Sequence, residues 1–553
     1  MEPVRMTVEG MPDSRSRNGV TGVSHDAAEL PAMWAWRGLV FWLAVMIAGH
    51  AVVLNEPFVN QEVAFSEGAR GLAESDYADG LTRFWRHQVN PLGYSAVTAL
   101  IRTALHQSDS YWTARLASLA GGVLILVSGY FWFRKTGSVR ADLFWLWGGV
   151  TTLCPLVWIF TGRGTADVLP VGILCSAFTA CWLAEGRWTR HFLAAGLLAL
   201  ATVIKYNTLL TGLGFIWLVL RGSGQLALPL RTRLSQAALY GLVPGVCLTA
   251  YFAWVYGNFH VLFVQEQFRA RHSPFTDLPQ FPAILAAYSS YLVMLTGLLA
   301  IVPLVSLWRP LTLRSRILLG GGVLVLATGA AAALRGFEAG EMGFGGFDRM
   351  LPAGLFVCLR GAFLVLAATC AFELCRKAIS ENDELCQFLL AALIPTLLIS
   401  SCSRPAQRYL LVAVPWVFFA LTVLSHRRMQ RLTRLVGWSS VAIFCGLSGV
   451  ATVYGVAHGR AADRMARWIV DQGLAAETEP GDMRAHCDQY FPIALPTDPK
   501  YVVQAKPVEG AIHTEAVSIL GRSLRGFYLV PADAAEIEPS RTAEIRSNVV
   551  PKR

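Results

Sequence analysis

Two acidic residues of this sequence lie beside apolar segments, where an ionised side chain is costly unless it is paired or used in chemistry. Asp167 directly precedes the apolar stretch 168–183, and Glu62 lies in the first turn of a predicted amphipathic helix over residues 60–70. A carboxylate at such a position can act as a general base, complement a helix dipole or form an ion pair. Arg163 stands four residues before Asp167 and is its expected partner if a helix extends that far.

Three cationic residues, Arg163, Lys205 and Arg408, also lie at the ends of apolar stretches. Arginine offers the bidentate geometry that phosphate prefers, and lysine offers a point charge. Two roles are therefore open for each residue. It binds a phosphate group, or its long cationic side chain only extends to a membrane interface. A divalent ion held between Glu62 and Asp167 is compatible with the chemistry, although no ligand cluster requires one.

The elements that must position these residues are long apolar helices. Of the 553 residues, 54% are hydrophobic and only 15% are charged, and the mean hydropathy is +0.46. Stretches close to the roughly 20 residues that cross a bilayer as a helix recur along the chain. The sequence therefore predicts an all-α polytopic membrane protein with about 13 transmembrane helices. Their approximate positions are 36–54, 112–133, 142–160, 165–184, 192–204, 207–220, 236–256, 283–307, 317–334, 352–373, 386–402, 407–424 and 436–456.

Basic residues in alternate gaps between these stretches predict the orientation, because short cytoplasmic loops retain lysine and arginine. This pattern places the N-terminus in the cytoplasm and the C-terminal tail outside. The predicted location of the protein is the cell inner membrane. The net charge of +10 is then a topology signal rather than a nucleic-acid footprint, so no nucleic acid is expected as a partner. The gaps contain Arg134, Lys135 and Arg140; Arg187 and Arg190; Arg221, Arg231 and Arg233; Arg309, Arg314 and Arg316; Arg376 and Lys377; and Arg427, Arg428, Arg431 and Arg434.

Four segments define the predicted domain organisation. Residues 1–33 are polar and predict a disordered cytoplasmic tail, and residues 34–456 form the transmembrane domain. Within it, residues 55–111 form the first extracytoplasmic loop, with helices beside the membrane. Residues 457–553 mix polar residues with short apolar runs bounded by Pro and Gly, which predicts a small extracytoplasmic α/β domain.

A second outer loop, 257–282, contains His260 and Glu266 and is a candidate gate over a bound substrate. Such a loop is more often only a solvated connection. In the first loop, Glu62, Ser66 and Arg70 share one face of the predicted helix at 100° per residue. Phe65, Ala69 and Leu72 fall on another face, which is expected to rest on lipid or on neighbouring spans.

The order of residues in the first outer loop resembles the polyprenyl-phosphate-sugar transferases of the GT-C superfamily. That group includes the dolichyl-phosphate-mannose protein mannosyltransferases and the lipid A aminoarabinose transferases. The family stretch reads approximately Asp-Glu-x-x-Tyr-x-Glu-x-Ala-Arg, and its second element reads Pro-Pro-Leu-x-Tyr. The matching residues are Gln61, Glu62, Phe65, Glu67, Ala69 and Arg70, then Asn90-Pro91-Leu92-Gly93-Tyr94. Further matches follow in order, with Arg115-Leu116, Arg163 with Asp167, Lys205-Tyr206, and Arg408-Tyr409 with Pro415.

The resemblance implies a GT-C-like fold and a glycosyltransferase that takes a hexosyl or pentosyl group from a polyprenyl-phosphate carrier. The acceptor would be a lipid, a glycan or a protein on the extracytoplasmic side, and single displacement would invert the anomeric centre. By resemblance, Glu62 and Asp167 are the catalytic candidates, with Arg163, Lys205, Tyr206 and Arg408 at the donor phosphate. Gln61, Arg70, Pro91, Tyr94, His260 and Glu266 are the expected cavity residues, and no metal site is assigned.

Gln61 departs from the family, which has its leading acidic residue at this place. An amide cannot usefully accept a proton. Glu62 is therefore the first choice for the catalytic carboxylate and Asp167 the second, unless the chain is a non-catalytic relative. A transporter or flippase of a lipid-linked or polar substrate is the other alternative. It would be expected to show related halves with broken helices, and the sequence shows no clear internal repeat.

Overall fold

The computed structural model describes residues 26–534 with internal gaps, of which the longest are 222–227, 260–280, 330–352 and 402–406. Almost all of the regular structure before residue 471 is helical. The helices are α1 (Asp26–Ala51), α2 (Glu62–Ala73), α3 (Asp79–His87), α4 (Gly93–Leu105), α5 (Tyr111–Lys135), α6 (Ala141–Leu153), α7 (Pro155–Thr161), α8 (Val168–Trp182), α9 (Trp188–Ile204), α10 (Gly212–Arg221), α11 (Leu230–Phe259), α12 (Phe281–Leu295), α13 (Ile301–Trp308), α14 (Ala353–Ser380), α15 (Glu384–Ser401), α16 (Val414–Asp471) and α17 (Arg484–Cys487).

Three of the described helices are long and apolar enough to cross a membrane, namely Tyr111–Lys135, Leu230–Asn258 and Met429–Asp471. The number rises to five if each of two bent helix pairs is one span. These pairs are Leu143–Leu153 with Pro155–Thr161 and Ile284–Leu295 with Gly297–Trp308. The chain is thus an integral membrane protein with several apolar helices. The count of about 13 and the orientation stay predictions, and most of the stretch 317–334 lies outside the described residues.

Helices α5 and α8 approach each other closely because their contact is made by small residues. A Cβ atom added to Gly172 would lie 2.2 Å from the carbonyl oxygen of Gly121, and one added to Gly121 would lie 2.5 Å from Leu169 Cα. Small residues allow such backbone contact between membrane helices. This close contact holds the start of α8, where Asp167 is the N-cap, against the first half of α5.

Helices α8 and α9 run antiparallel and pack along their length. The turn between them contains Glu185 and Gly186 at φ +49° and +78°. Because α8 starts where α9 ends, Asp167 and Lys205 lie at the same end of the pair. A short 3-10 helix, Tyr206–Thr211, then joins α9 to α10, so the predicted spans 192–204 and 207–220 are separate helices.

The first loop is more deeply packed than the sequence predicts. Helix α2 begins at Glu62, within one turn of the predicted start, but every residue from 62 to 69 is buried, on both faces. Helices α3 and α4 cover it, and so does the short α17 of the C-terminal segment. Helix α2 is therefore not a membrane-surface helix with one exposed polar face.

The C-terminal segment contains a four-stranded sheet with the order β1-β2-β4-β3. Its strands are β1 (Thr478–Glu479), β2 (Tyr501–Gln504), β3 (His513–Ile519) and β4 (Arg522–Pro531). Strand β1 pairs parallel with β2, whereas β4 is antiparallel to both of its neighbours. The apolar side of the sheet packs on the last turns of α16 in a hydrophobic core of its own, which includes Ala462, Met465, Ile469, Phe527 and Leu529.

Candidate active site

Glu62 is at the centre of a buried junction and borders a small cavity. Its carboxylate forms a bidentate ion pair with Arg115, with Nε to Oε1 at 2.8 Å and Nη2 to Oε2 at 3.0 Å. The backbone N–H groups of Val59 and Gly164 also donate to it, each at 2.7 Å. Its exposed fraction is 0%. Because a carboxylate has about four acceptor positions, Glu62 has none left for a substrate proton.

Arg115 extends this junction to the chain that follows α1. Its guanidinium donates to the carbonyl oxygens of Leu54 at 3.2 Å, Glu56 at 2.8 Å and Pro57 at 3.1 Å, and also to that of Val53. Glu62 and Arg115 together fasten the loop 53–59, helix α2, helix α5 and the turn before α8. In the described structure, these contacts hold the four segments together.

Asp167 has a different environment. Its Oδ1 accepts a hydrogen bond from Lys205 Nζ at 2.6 Å, and the exposed fractions of the two residues are only 3% and 2%. The sequence-based pairing of Asp167 with Arg163 is wrong, because residues 162–167 form a turn and helix α8 begins only at Val168. The four-residue helical spacing on which that pairing depended does not exist there.

Three further side chains, Arg408, Gln61 and Tyr409, complete the surroundings of the Asp167–Lys205 ion pair. Arg408 Nη1 donates to Gln61 Oε1, and the positive charge of Arg408 acts on Asp167 together with that of Lys205. The ammonium group of Lys205 lies 5.6 Å from the centroid of the Tyr409 ring. One carboxylate, two cations and the Gln61 amide are therefore brought together from four separate parts of the chain.

Tyr94 and Pro91 are buried supports. The Tyr94 hydroxyl donates to the carbonyl oxygen of Ala114 at 2.6 Å and is 2.8 Å from Ser118 Oγ, which in turn donates to Thr165 O at 3.1 Å. This chain of hydrogen bonds connects α4, α5 and the turn 162–167. Tyr94 is fully buried, so it holds these segments together and does not face an open site.

The residues after Lys205 form a second polar group. Tyr206 stacks on Phe252 with ring centroids 5.7 Å apart and hydrogen-bonds Tyr251, whose hydroxyl accepts from the Leu92 N–H at 3.0 Å. In the described part of the chain, neither the amide oxygen nor the amide nitrogen of Asn207 has a partner, although both atoms are buried. Buried amides are normally hydrogen-bonded, so Asn207 is a candidate for contact with a bound molecule.

Arg163 is not part of the Asp167–Lys205 ion pair, although the charge of Asp167 acts on it. It lines a cavity of about 50 Å³ whose described walls include Glu62 and Arg115 but neither Asp167 nor Lys205. Its guanidinium lies 5.7 Å from the centroid of the Phe160 ring. The turn 162–167 thus has Arg163 in one cavity wall and Asp167 in a different buried cluster.

The remaining predicted residues fall elsewhere. Arg70, at the end of α2, pairs with Glu74 at 2.9 Å, and about one third of its side chain is exposed. His260 and Glu266 lie outside the described residues. The sequence did not predict the places of Asn207 and Tyr251 in this region or the bidentate pairing of Arg115 with Glu62. The first two carry no sequence signal, since an amide or a tyrosine inside an apolar stretch is ordinary.

The two carboxylates do not fit a divalent ion in this arrangement. All four acceptor positions of Glu62 are occupied by N–H donors, and Asp167 faces the ammonium group of Lys205. Within the described residues there is also no cluster of three or more His, Cys, Asp or Glu side chains that could hold a metal. A cation between them would displace existing hydrogen bonds without gaining a sufficient ligand set.

Two crystal structures are similar to this chain: ArnT from Cupriavidus metallidurans bound to undecaprenyl phosphate, and ArnT from the same organism in the apo state. Each match covers 90% of this chain and 99% of the other, at 15% sequence identity and a TM-score of 0.38. ArnT is a lipid A aminoarabinose transferase of the GT-C type that the sequence resembles. No protein-family model and no curated protein matches this chain. Because the identity and the TM-score are low, its function has to be argued from its own site.

Proposed function

We propose that this chain is a membrane glycosyltransferase that moves a sugar from a polyprenyl-phosphate carrier to a lipid, glycan or protein acceptor on the extracytoplasmic side. The buried ion pair of Asp167 and Lys205 beside Arg408 is the observation that carries the proposal. A carboxylate and two cations in one cluster supply what displacement at a phosphate-linked sugar needs. The choice of carrier comes from the residues that resemble the polyprenyl-phosphate-sugar transferases.

In the proposed reaction, the acceptor hydroxyl oxygen attacks the anomeric carbon while the bond from that carbon to the phosphate oxygen breaks. Asp167 takes the hydroxyl proton, and polyprenyl phosphate leaves with the bonding electrons. Phosphate is a good leaving group, so the reaction needs a base more than it needs an acid. A single displacement of this kind inverts the anomeric centre, as in inverting glycosidases.

Lys205 and Arg408 are the proposed stabilisers of the charge that builds on the leaving phosphate. Gln61 holds Arg408 by a hydrogen bond but carries no charge, so the positive charge of Arg408 is not cancelled. An aspartate at that place would pair with Arg408 and reduce its attraction for phosphate. Gln61 is therefore compatible with catalysis through Asp167, and Tyr206 would line the same region.

Glu62 is assigned a positioning role in this proposal, and Asp167 replaces it as the first choice for the base. Glu62 is occupied by four donors, whereas Asp167 has one ammonium partner at 2.6 Å. That partner can shift toward a donor phosphate when one binds, and the second carboxylate oxygen of Asp167 can then face the acceptor. Glu62 keeps the turn 162–167 in place through Gly164.

The test is transfer by the purified protein from a panel of polyprenyl-phosphate sugars in detergent or nanodiscs. Asp167→Asn is expected to lower the rate by about 10²–10⁴-fold, which is the range for loss of a general base. Glu477→Gln is the matched control, because it removes a carboxylate from an exposed pair with Lys500 at 2.8 Å. Undiminished transfer by the Asp167 variant would remove the site assignment. Movement of lipid-linked substrate across vesicles without transfer would favour the transporter instead.

A further inference from the structure

The cavity that contains Arg163 lies between the end of α1, the loop 56–59, the end of α7 and residues 451–456 of α16. We call it the Arg163 cavity. Its walls are mainly apolar, and Trp158 is fixed in them by a hydrogen bond from its indole N–H to Thr452 Oγ1 at 2.9 Å. The residues that define it are His50, Val53, Glu62, Arg115, Trp158 and Arg163.

The charges around this cavity do not cancel. Glu62 is paired with Arg115, and Glu56 is paired with Arg460. The guanidinium of Arg163 forms no hydrogen bond or ion pair with a described residue, although the negative charges of Glu62 and Asp167 act on it from a greater distance. Glu62 and Asp167 are already paired with Arg115 and Lys205, so one positive charge is left over in a partly buried, largely apolar site. Arginine cannot lose its proton to avoid this cost, so the site attracts an anion.

The surface around the cavity indicates the kind of anion. The helices that flank it present exposed apolar side chains, with Val52 at 70%, Val450 at 53% and Val453 at 52% exposure. In a membrane protein such side chains face acyl chains, which a free ion does not have. An occupant that satisfies both features has an anionic head group for Arg163 and hydrocarbon chains for the outer faces of α1 and α16.

We infer that the Arg163 cavity binds the phosphate of an anionic membrane phospholipid, at a site separate from the Asp167 cluster. The guanidinium group of an arginine donates two parallel hydrogen bonds to phosphate oxygens. The bound phosphate would neutralise Arg163 and anchor the first half of the turn 162–167, whose N–H at Gly164 is held by Glu62. The inference does not depend on the sugar donor or on transfer.

The experiment measures the thermal unfolding midpoint of the full-length protein in detergent, without any sugar donor. Phosphatidylglycerol is added, and phosphatidylcholine with the same acyl chains and inorganic phosphate are added in parallel. Phosphatidylglycerol should raise the midpoint by an amount that grows with the logarithm of its concentration, as for any ligand of the native state. Phosphatidylcholine and inorganic phosphate should leave it nearly unchanged.

Arg163→Gln should remove the phosphatidylglycerol effect, and Arg163→Lys should keep part of it. Arg134→Gln is the control, because that arginine lies near the last turn of α5, against the Tyr130 ring, and should respond like wild type. If Arg163→Gln does not fold, Thr452→Trp tests the same point by filling the cavity. An equal rise in the Arg163 and Thr452 variants would overturn the inference. So would an equal rise with inorganic phosphate, or displacement of phosphatidylglycerol by an equimolar polyprenyl phosphate.

Discussion

The two ends of the helical bundle use the same kinds of side chain in opposite ways. At one end, the ion pairs of Asp167 and Glu62 are buried and join residues 38 and 53 positions apart in sequence. At the other end, Arg376 and Lys377 pair with Glu381, which is only five and four residues away and is 42% exposed. Buried pairs are costly to assemble and costly to break, whereas exposed local pairs contribute little.

Cations at the second end mostly serve the backbone. Arg233 donates to the carbonyl oxygen of Leu220 at 2.6 Å, Arg190 donates to that of Leu183, and Arg221 donates to that of Asn382. Such bonds satisfy carbonyl groups near helix and loop ends and suit the negative end of a helix dipole. The number of charges therefore does not distinguish the two ends. The proposed functional end differs by the burial of opposite charges that come from distant segments.

The largest effect is expected from Asp167→Asn. The change leaves the Lys205 ammonium group buried without a charged partner, so the free energy of unfolding should fall by about 3–5 kcal/mol. Transfer should fall with it, by the factor given above for loss of the base. Both are measured on the same preparation, as initial rates below the unfolding midpoint and as thermal unfolding curves.

The double variant Asp167→Asn with Lys205→Met separates the two losses. Removing both charges should recover most of the stability, because no unpaired charge remains in the site. The transfer rate should stay low. If the double variant regains the wild-type rate, the pair is structural and the contrast between the two ends would have no catalytic meaning.

A smaller loss of activity is expected from Glu62→Gln. Arg115 loses its charged partner, so unfolding should become easier by about 3 kcal/mol. The transfer rate should fall less than in Asp167→Asn when both are compared well below their midpoints. A greater loss of rate in the Glu62 variant, with the fold intact, would make Glu62 the base and reverse the assignment.

Asn207→Leu should affect substrate more than stability. The amide has no partner to lose in the described structure, so the free energy of unfolding should stay within about 1 kcal/mol of wild type. The KM for the donor or acceptor should rise, because a buried hydrogen-bonding group for the bound sugar is gone. Thr208→Val is a comparison, since that hydroxyl already bonds the Lys205 carbonyl at 2.8 Å. Unchanged KM values in Asn207→Leu would contradict the prediction.

The smallest effect is expected at the opposite end, from Glu381→Gln. Hydrogen bonds from Lys377 and Arg376 lower the pKa of Glu381 to about 2. Its contribution to stability is thus present above the pKa of the unfolded chain and is lost as the pH falls toward 2. For an exposed pair this amounts to about 0–1 kcal/mol. Unfolding curves from pH 6 to 3 should differ only slightly between the variant and wild type. A difference as large as that of Asp167→Asn would erase the contrast.

Local patterns in the sequence predicted the local structure well. The period of the apolar residues predicted a helix over 60–70, and α2 runs over Glu62–Ala73. The need of Asp167 for a partner also followed from its apolar surroundings. Its actual partner did not, because Lys205 is 38 residues away and reaches it only through the antiparallel packing of α8 and α9. Local spacing favoured Arg163, and a non-helical turn removed that possibility.

The role of Glu62 could not be predicted for a similar reason. A carboxylate in the first turn of a helix can be a base, a dipole partner or one half of an ion pair, and these differ only in what lies opposite. Here Arg115 and Gly164 lie opposite, and each comes from a different segment. Whether a side chain is saturated depends on contacts that tertiary packing creates, and a single sequence carries no record of them.

Helix α16 has a mechanical consequence for the C-terminal sheet. The range of α16 contains a kink at Met429, after which a single helix of 43 residues runs to Asp471. Its last turns are part of the hydrophobic core under the sheet. Only residues 472–477 separate α16 from β1, and Arg83 and Arg460 brace the junction through Phe491 O and Glu56. The rotational position of the sheet around the axis of α16 is consequently fixed. One residue inserted near position 457 would swing it by about 100° around that axis.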